Sequence, residues 1–220
     1  KSSCSSIASF KVETQPFMPW EESYWEEYGI GPATLERYNV RSIRSCTFMK
    51  VSGGEFAIYG SKAIPTYGYF FDGSKRVKIY RPKAKLRFMY AGRFPKPYVF
   101  GHEQLPGKGD VIFITGGEKD VMSLAAHGFS ALAFNSETAS IPESVFEDLS
   151  KRFSKIVFLY DTDETGRRES ELRCEQHREK YNVFKIDLPL AGSKSEKDIS
   201  DFFRLGHTSE ELKAIINKQL

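Results

Sequence analysis

From residue 111 onward, short apolar runs alternate with amphipathic stretches of about 10 to 15 residues, the signature of β-α-β units around a parallel sheet. The runs at 111–115, 131–134, 156–160 and 183–188 predict strands. Between them, Val121, Met122, Leu124 and Ala125 share one helical face of 119–127, residues 142–153 open on a helix-starting Pro142, and 167–181 form a charged helix. Two closing helices are predicted over 199–205 and 209–219, the second capped by a Ser209-Glu210-Glu211 start.

The first half has another rhythm. A short helix is predicted over 32–38, with Pro32 in its first turn after Gly29-Ile30-Gly31. Strand-like stretches follow at 45–51, 55–59, 63–71 and 76–80, broken by Gly53-Gly54, Gly60-Ser61 and Asp72-Gly73, which predicts a small antiparallel sheet. A Pro- and Gly-rich segment, 94–109, joins the halves. The aromatic cluster at 17–28, with Trp20 and Trp25, reads as core or as a docking arm.

Composition is that of a globular domain: 220 residues, 40% hydrophobic and 28% charged. No apolar run approaches the roughly 20 residues that span a bilayer, and the first residues lack the apolar core of a secretory signal, so no membrane association and a cytoplasmic address are expected. The sequence begins at Lys1, which suggests a piece of a longer protein. Cys4, Cys46 and Cys174 are dispersed and odd in number, giving neither a disulfide framework nor a zinc clip, and are expected to be reduced thiols. His102, His127, His177 and His207 are likewise not at ligand spacing. The net charge of +3 hides a split: residues 1–109 carry 17 Lys and Arg against 9 Asp and Glu, the remainder 15 against 20. One half is suited to a polyanion and the other to a metal.

The acids follow the predicted strands. Gly116-Gly117-Glu118-Lys119-Asp120 comes after the first, Asp161-Thr162-Asp163 after the third, and Lys197-Asp198 before a closing helix. Carboxylates at the carboxyl ends of neighbouring parallel strands converge on one crevice, where oxygen ligands suit a hard cation such as Mg²⁺. Each cluster has a plainer reading as a turn or helix cap, and both readings stay open. Asn135-Ser136-Glu137 lies at another strand end facing the same crevice, as polar lining. In the basic half, Lys75, Arg76, Lys78, Arg81, Lys83, Lys85, Arg87, Arg93 and Lys96 stand against the single acid Asp72, interleaved with Tyr80, Phe88 and Tyr90. That combination suits a groove for single-stranded nucleic acid, or else a solvated strand face guarded by lysines.

Taken in order, these motifs resemble the Toprim domain, and most closely its primase branch, through Asp161-Thr162-Asp163-Glu164-Thr165-Gly166-Arg167 and Lys197-Asp198-Ile199-Ser200-Asp201. The match covers roughly 110–205, and weaker likenesses at 29–38 and 71–82 extend it to the lobe that precedes Toprim in primases. The resemblance implies an α/β Toprim domain over 110–220, Rossmann-like with a mostly parallel sheet and flanking helices. Before it comes a small α+β lobe over 1–109 with an antiparallel basic sheet.

By the same resemblance, Asp120, Asp161 and Asp163 would hold Mg²⁺ or Mn²⁺, with Glu118 and Asp198 completing the catalytic set. Arg76, Lys78, Arg81, Lys83, Lys85 and Arg87 would bind nucleic acid. The implied activity is primase-type nucleotidyl transfer in DNA replication, taking ribonucleoside triphosphates and a single-stranded DNA template, with a helicase as candidate partner. The family's first motif begins with a glutamate, and Gly116 stands in that place, leaving Glu118 as the nearby substitute. A nucleic-acid or nucleotide-binding module without catalysis and a Toprim nuclease are the alternatives. Such primases usually carry a zinc-ribbon, and this chain has no cysteine set for one.

Overall fold

A computed structural model describes residues 7–220, so Cys4 lies outside the described residues. The described chain divides into two compact units, the first made of residues 7–24 and 35–95, the second of 25–34 and 96–220. It passes from one to the other within helix α1 (Pro19–Glu26) and back within α2 (Pro32–Arg37).

The first unit is built on a six-stranded antiparallel sheet ordered β1-β2-β4-β5-β6, with β3 paired to β2. Its strands are β1 (Ile7–Gln15), β2 (Val40–Lys50), β3 (Glu55–Tyr59), β4 (Tyr67–Phe71), β5 (Arg76–Tyr80) and β6 (Phe88–Ala91). Alternation sorts its two faces. Ile43, Cys46, Phe48, Phe70, Val77, Ile79 and Ala91 form the buried cluster on one. On the other, β5 presents Arg76, Lys78 and Tyr80 beside the rings of Tyr67, Tyr69, Phe88 and Tyr90. The strand expected over 45–51 runs from Val40 to Lys50. The strand expected over 63–71 begins only at Tyr67, because Pro65 lacks a donor and Ser61 and Ile64 close a turn before it. The strands β1 and β6 lie outside the predicted elements, although β1 does alternate in type through Ser9, Phe10, Lys11, Val12 and Glu13.

The second unit holds a five-stranded sheet ordered β11-β10-β8-β9-β7. Strands β8 (Gly109–Thr115), β9 (Ser130–Phe134), β10 (Phe153–Leu159) and β11 (Val183–Lys185) are parallel, and β7 (Val99–Phe100) is an antiparallel edge. Helices α3 (Glu118–Ala126), α4 (Glu143–Arg152), α5 (Glu164–His177), α6 (Ile199–Arg204) and α7 (Ser209–Gln219) alternate with or follow the strands. Ile112, Ile114, Leu132, Phe146, Leu149, Ile156 and Phe158 are buried together, the apolar runs of the strands meeting the apolar stripe of α4. The cap of α7 is Thr208, in a reciprocal box with Glu211, rather than the Ser-Glu-Glu start. Cys46 and Cys174 are buried and unbridged. Three histidines act as flat apolar surfaces, His127 stacking on Phe203, His207 on Phe202 and His177 on Phe146.

Candidate metal centre

Strands β8 and β10 run side by side with Thr115 opposite Leu159, so the turns that follow them, 116–117 and 160–163, open next to each other at the carboxyl edge of the sheet. Asp120 stands in the first turn of α3, buried, and its Oδ1 accepts the Ser200 N–H at 3.4 Å. Asp163 is the N-cap of α5 and accepts the Gly166 N–H at 3.0 Å. Asp198 is the N-cap of α6, accepting from the Asp201 N–H at 2.7 Å and the Ser200 hydroxyl at 2.6 Å. The capping reading of Asp163 and Asp198 is therefore correct, and each carboxylate keeps a second oxygen.

These oxygens gather in two groups. Asp120, Asp161 and Asp198 each bring one within 4.8 Å of the others, and so do Glu137, Asp161 and Asp163. Asp161 belongs to both. The loops are tied across the site: Thr162 N–H donates to the Lys197 carbonyl at 2.7 Å, and the Lys197 ammonium pairs with Asp161 and lies 3.3 Å from Asp163. Gly166 is required here, because a Cβ on it would come within 2.1 Å of the Asp161 carbonyl oxygen.

Electrostatics follow from crowding. Burial, then the neighbouring Asp198 charge, hold Asp120 well above the usual carboxylate range. Asp161 is also raised, by burial against the opposing pull of Lys197. Glu137 is pushed up to about 7, first by burial and then by Asp161. Asp163 is lowered, chiefly by the Gly166 N–H. Burial works against the charged form of Lys197, but its bonds to Asp161 and Asp163 outweigh that and raise it. Converging carboxylates that resist ionisation are stabilised by a cation, and an all-oxygen donor set fits a hard divalent ion such as Mg²⁺ or Mn²⁺.

Not every predicted residue joins. Glu118, in the first turn of α3, is buried with its Oε1 accepting the Tyr98 hydroxyl at 2.7 Å, and it belongs to neither oxygen group. Glu137 belongs to one oxygen group and Lys197 pairs with the carboxylates of the site, roles that the motifs do not assign; the available signal is their place beside a strand end and a helix cap. Among the basic residues of the first unit, Lys83, Lys85 and Arg87 are exposed between β5 and β6, and Arg81 is half-buried. Arg76 pairs with Asp72, and Lys78 is only 3% exposed, lying over the rings of Phe88 and Tyr90. A cleft of about 480 Å³ lined by Lys108, Asp110, Phe129 and Lys213 opens at the amino-terminal ends of β8 and β9, away from the carboxylates.

Residues 113–203 match the family model described as Toprim-like, in keeping with the α/β fold of the second unit. The fold of the chain is of the primase type. It is similar to the primase fragment of the bacteriophage T7 primase-helicase protein (TM-score 0.54, 15% identity, covering 94% of this chain and 79% of that one). It is also similar to the Aquifex aeolicus primase, zinc-binding and RNA polymerase domains (TM-score 0.64, 16% identity, 92% and 56%), and to a DNA primase domain from Pseudomonas aeruginosa (TM-score 0.56, 16% identity, 92% and 60%). The chain thus spans little more than half of these two bacterial proteins. No curated protein sequence matches it significantly. Among the described residues no helix is long and apolar enough to cross a membrane.

Proposed function

We propose that this chain is the catalytic core of a DNA primase, joining ribonucleoside triphosphates on a single-stranded DNA template during replication. The observation that carries the reading is the sharing of Asp161 between two oxygen groups at the strand ends of a Toprim domain. The reaction forms a bond between a 3′-hydroxyl oxygen and the α-phosphorus and breaks the α–β anhydride, releasing pyrophosphate. A bound Mg²⁺ or Mn²⁺ would neutralise the phosphate charge and favour attack by the hydroxyl.

Asp120, Asp161 and Asp163 would hold the ion, with Asp198 beside them. The chain's own part is to keep these oxygens in place. The caps of α5 and α6 fix Asp163 and Asp198, the Thr162–Lys197 bond ties their loops, and burial keeps Asp120 rigid. Lys197, once its carboxylates are engaged, carries a cationic group for the triphosphate. The exposed Lys83, Lys85 and Arg87 would track the nucleic-acid backbone, with Arg76, Lys78 and Arg81 backing the same strand and turn. The protein would work in the cytoplasm, and a replicative helicase is the partner proposed, since the T7 neighbour is a fragment of a primase-helicase protein.

The test is synthesis of labelled oligoribonucleotides on mixed-sequence single-stranded DNA with Mg²⁺ or Mn²⁺. Product from the wild type and none from Asp161→Ala supports the proposal. Absence of product from the full-length protein on every template overturns it, and nicking of plasmid DNA in the same buffer would point to a nuclease instead.

A further inference from the structure

Gly116 follows β8 in the turn that faces the carboxylates, and its backbone lies outside the left-handed region, so its conformation alone would admit any residue. Space is what is tight there. A Cβ at this position would sit 3.0 Å from Glu137 Oε1 and 3.4 Å from both Glu137 Cγ and Asp161 Oδ1. A Cβ on residue 116 would press on the Glu137 carboxylate, which would have to give by a few tenths of an ångström. Strand β9 is the neighbour of β8 in the sheet, and the turn after it carries residue 137 across to that point. There Glu137 Oε1 accepts the Asp161 N–H at 2.7 Å, and its carboxylate joins those of Asp161 and Asp163.

We infer that Glu137 is a metal-ligating carboxylate of this site, replacing from the loop after β9 the acid that position 116 lacks. Gly116 and Glu137 are then one device: the glycine leaves the room, and the glutamate uses it. Glu118, the alternative on sequence grounds, is engaged by Tyr98. The inference rests on the proposed metal-dependent reaction for its purpose, but its geometry and its test do not.

Mn²⁺ is titrated by calorimetry into the wild type, Glu137→Gln, Glu137→Ala, Gly116→Glu and the Gly116→Glu/Glu137→Ala pair, with folding checked by circular dichroism and oligoribonucleotide synthesis measured alongside. Gln keeps an oxygen to accept the Asp161 N–H, so a purely structural role would leave Glu137→Gln unchanged. We expect Glu137→Gln to lose at least tenfold in Mn²⁺ affinity, Gly116→Glu to lose affinity through crowding, and the double variant to bind better than either single alanine or glutamate change. Wild-type affinity in Glu137→Gln overturns the inference, as does a double variant no better than Glu137→Ala. If the Mn²⁺ pattern holds while no protein makes primers, the primase reading falls and the role of Glu137 stands. If primers are made and Glu137→Gln binds and reacts as the wild type does, the reverse is true.

Discussion

The ammonium of Lys197 is paired with the carboxylate of Asp161, a residue common to both oxygen groups, and reaches Asp163 as well. The lysine therefore sits on oxygens that a bound divalent ion would need, as an internal counter-charge. Its two bonds to carboxylates keep it protonated despite partial burial. A metal bound there would have to displace it. Lys197→Met is expected to bind Mn²⁺ several-fold more tightly and to melt a few degrees lower once chelated, while making primers more slowly. Calorimetry and thermal melting measure both effects; weaker Mn²⁺ binding in the variant would mean that the lysine assists the ion instead of competing with it.

Asp161 is where loss of function and gain of stability should coincide. Its carboxylate is buried beside Asp198 and Asp163, and burial outweighs the help of Lys197. Asp161→Asn removes the strained charge, so the chelated protein should melt higher at pH 8, yet Mn²⁺ binding should fall below detection and synthesis by about 100-fold or more. Asp163→Asn is milder, because asparagine also caps a helix and the second oxygen group alone is weakened. Equal losses from the two variants would show that the sharing of Asp161 has no functional weight.

What could be read in the sequence was what is local. The strands and helices of the second half follow from periodicity, and the acids at their ends from the order of elements, because in a parallel sheet each strand ends on the same edge. Helix α5 starts three residues before the predicted position because Asp163 caps it, a detail set by one hydrogen bond. Glu137 was visible only as lining. Its role depends on the register of β9 against β8 and on the absence of a side chain at Gly116, two facts far apart in sequence. The partnership of Glu118 with Tyr98, 20 residues upstream, is equally non-local. Parity placed Lys78 on one face with Arg76, but parity cannot tell that rings cover it.

The titration of Glu137 gives a signed prediction for the metal-free protein. Its folded-state value of about 7 stands above the ordinary carboxylate value of 4.5, so the folded state binds this proton more tightly than the unfolded state does. The penalty for holding the charged form is absent below about pH 4.5, grows as pH rises through the window to about 7, and is complete above it. Glu137→Gln, neutral throughout, is the reference. Under chelation the variant should match the wild type near pH 4.5 and be the more stable of the two at pH 8, as measured by urea denaturation at both pH values. A stability difference independent of pH would show that Glu137 titrates normally.

Within the basic sheet, exposure separates residues that can meet a nucleic-acid backbone from those that build the lobe. Lys83 and Lys85 are exposed in the turn between β5 and β6, whereas Lys78 is buried with its ammonium over the rings of Phe88 and Tyr90, contacts that favour the charged form. Each lysine that neutralises a phosphate of a single strand adds about 0.7 to the slope of log affinity against log salt. The Lys83→Ala/Lys85→Ala pair is therefore expected to lower that slope by about 1.4, weakening oligo-dT and mixed-sequence DNA alike, with no change in melting temperature. Lys78→Ala should do the opposite, lowering the melting temperature and leaving the slope unchanged, because it removes ring-packing from the sheet and no phosphate contact. Fluorescence anisotropy over a salt series, set beside thermal melting, decides the matter; a reduced slope in Lys78→Ala at unchanged stability would mean that the buried lysine, and not the exposed turn, meets the DNA.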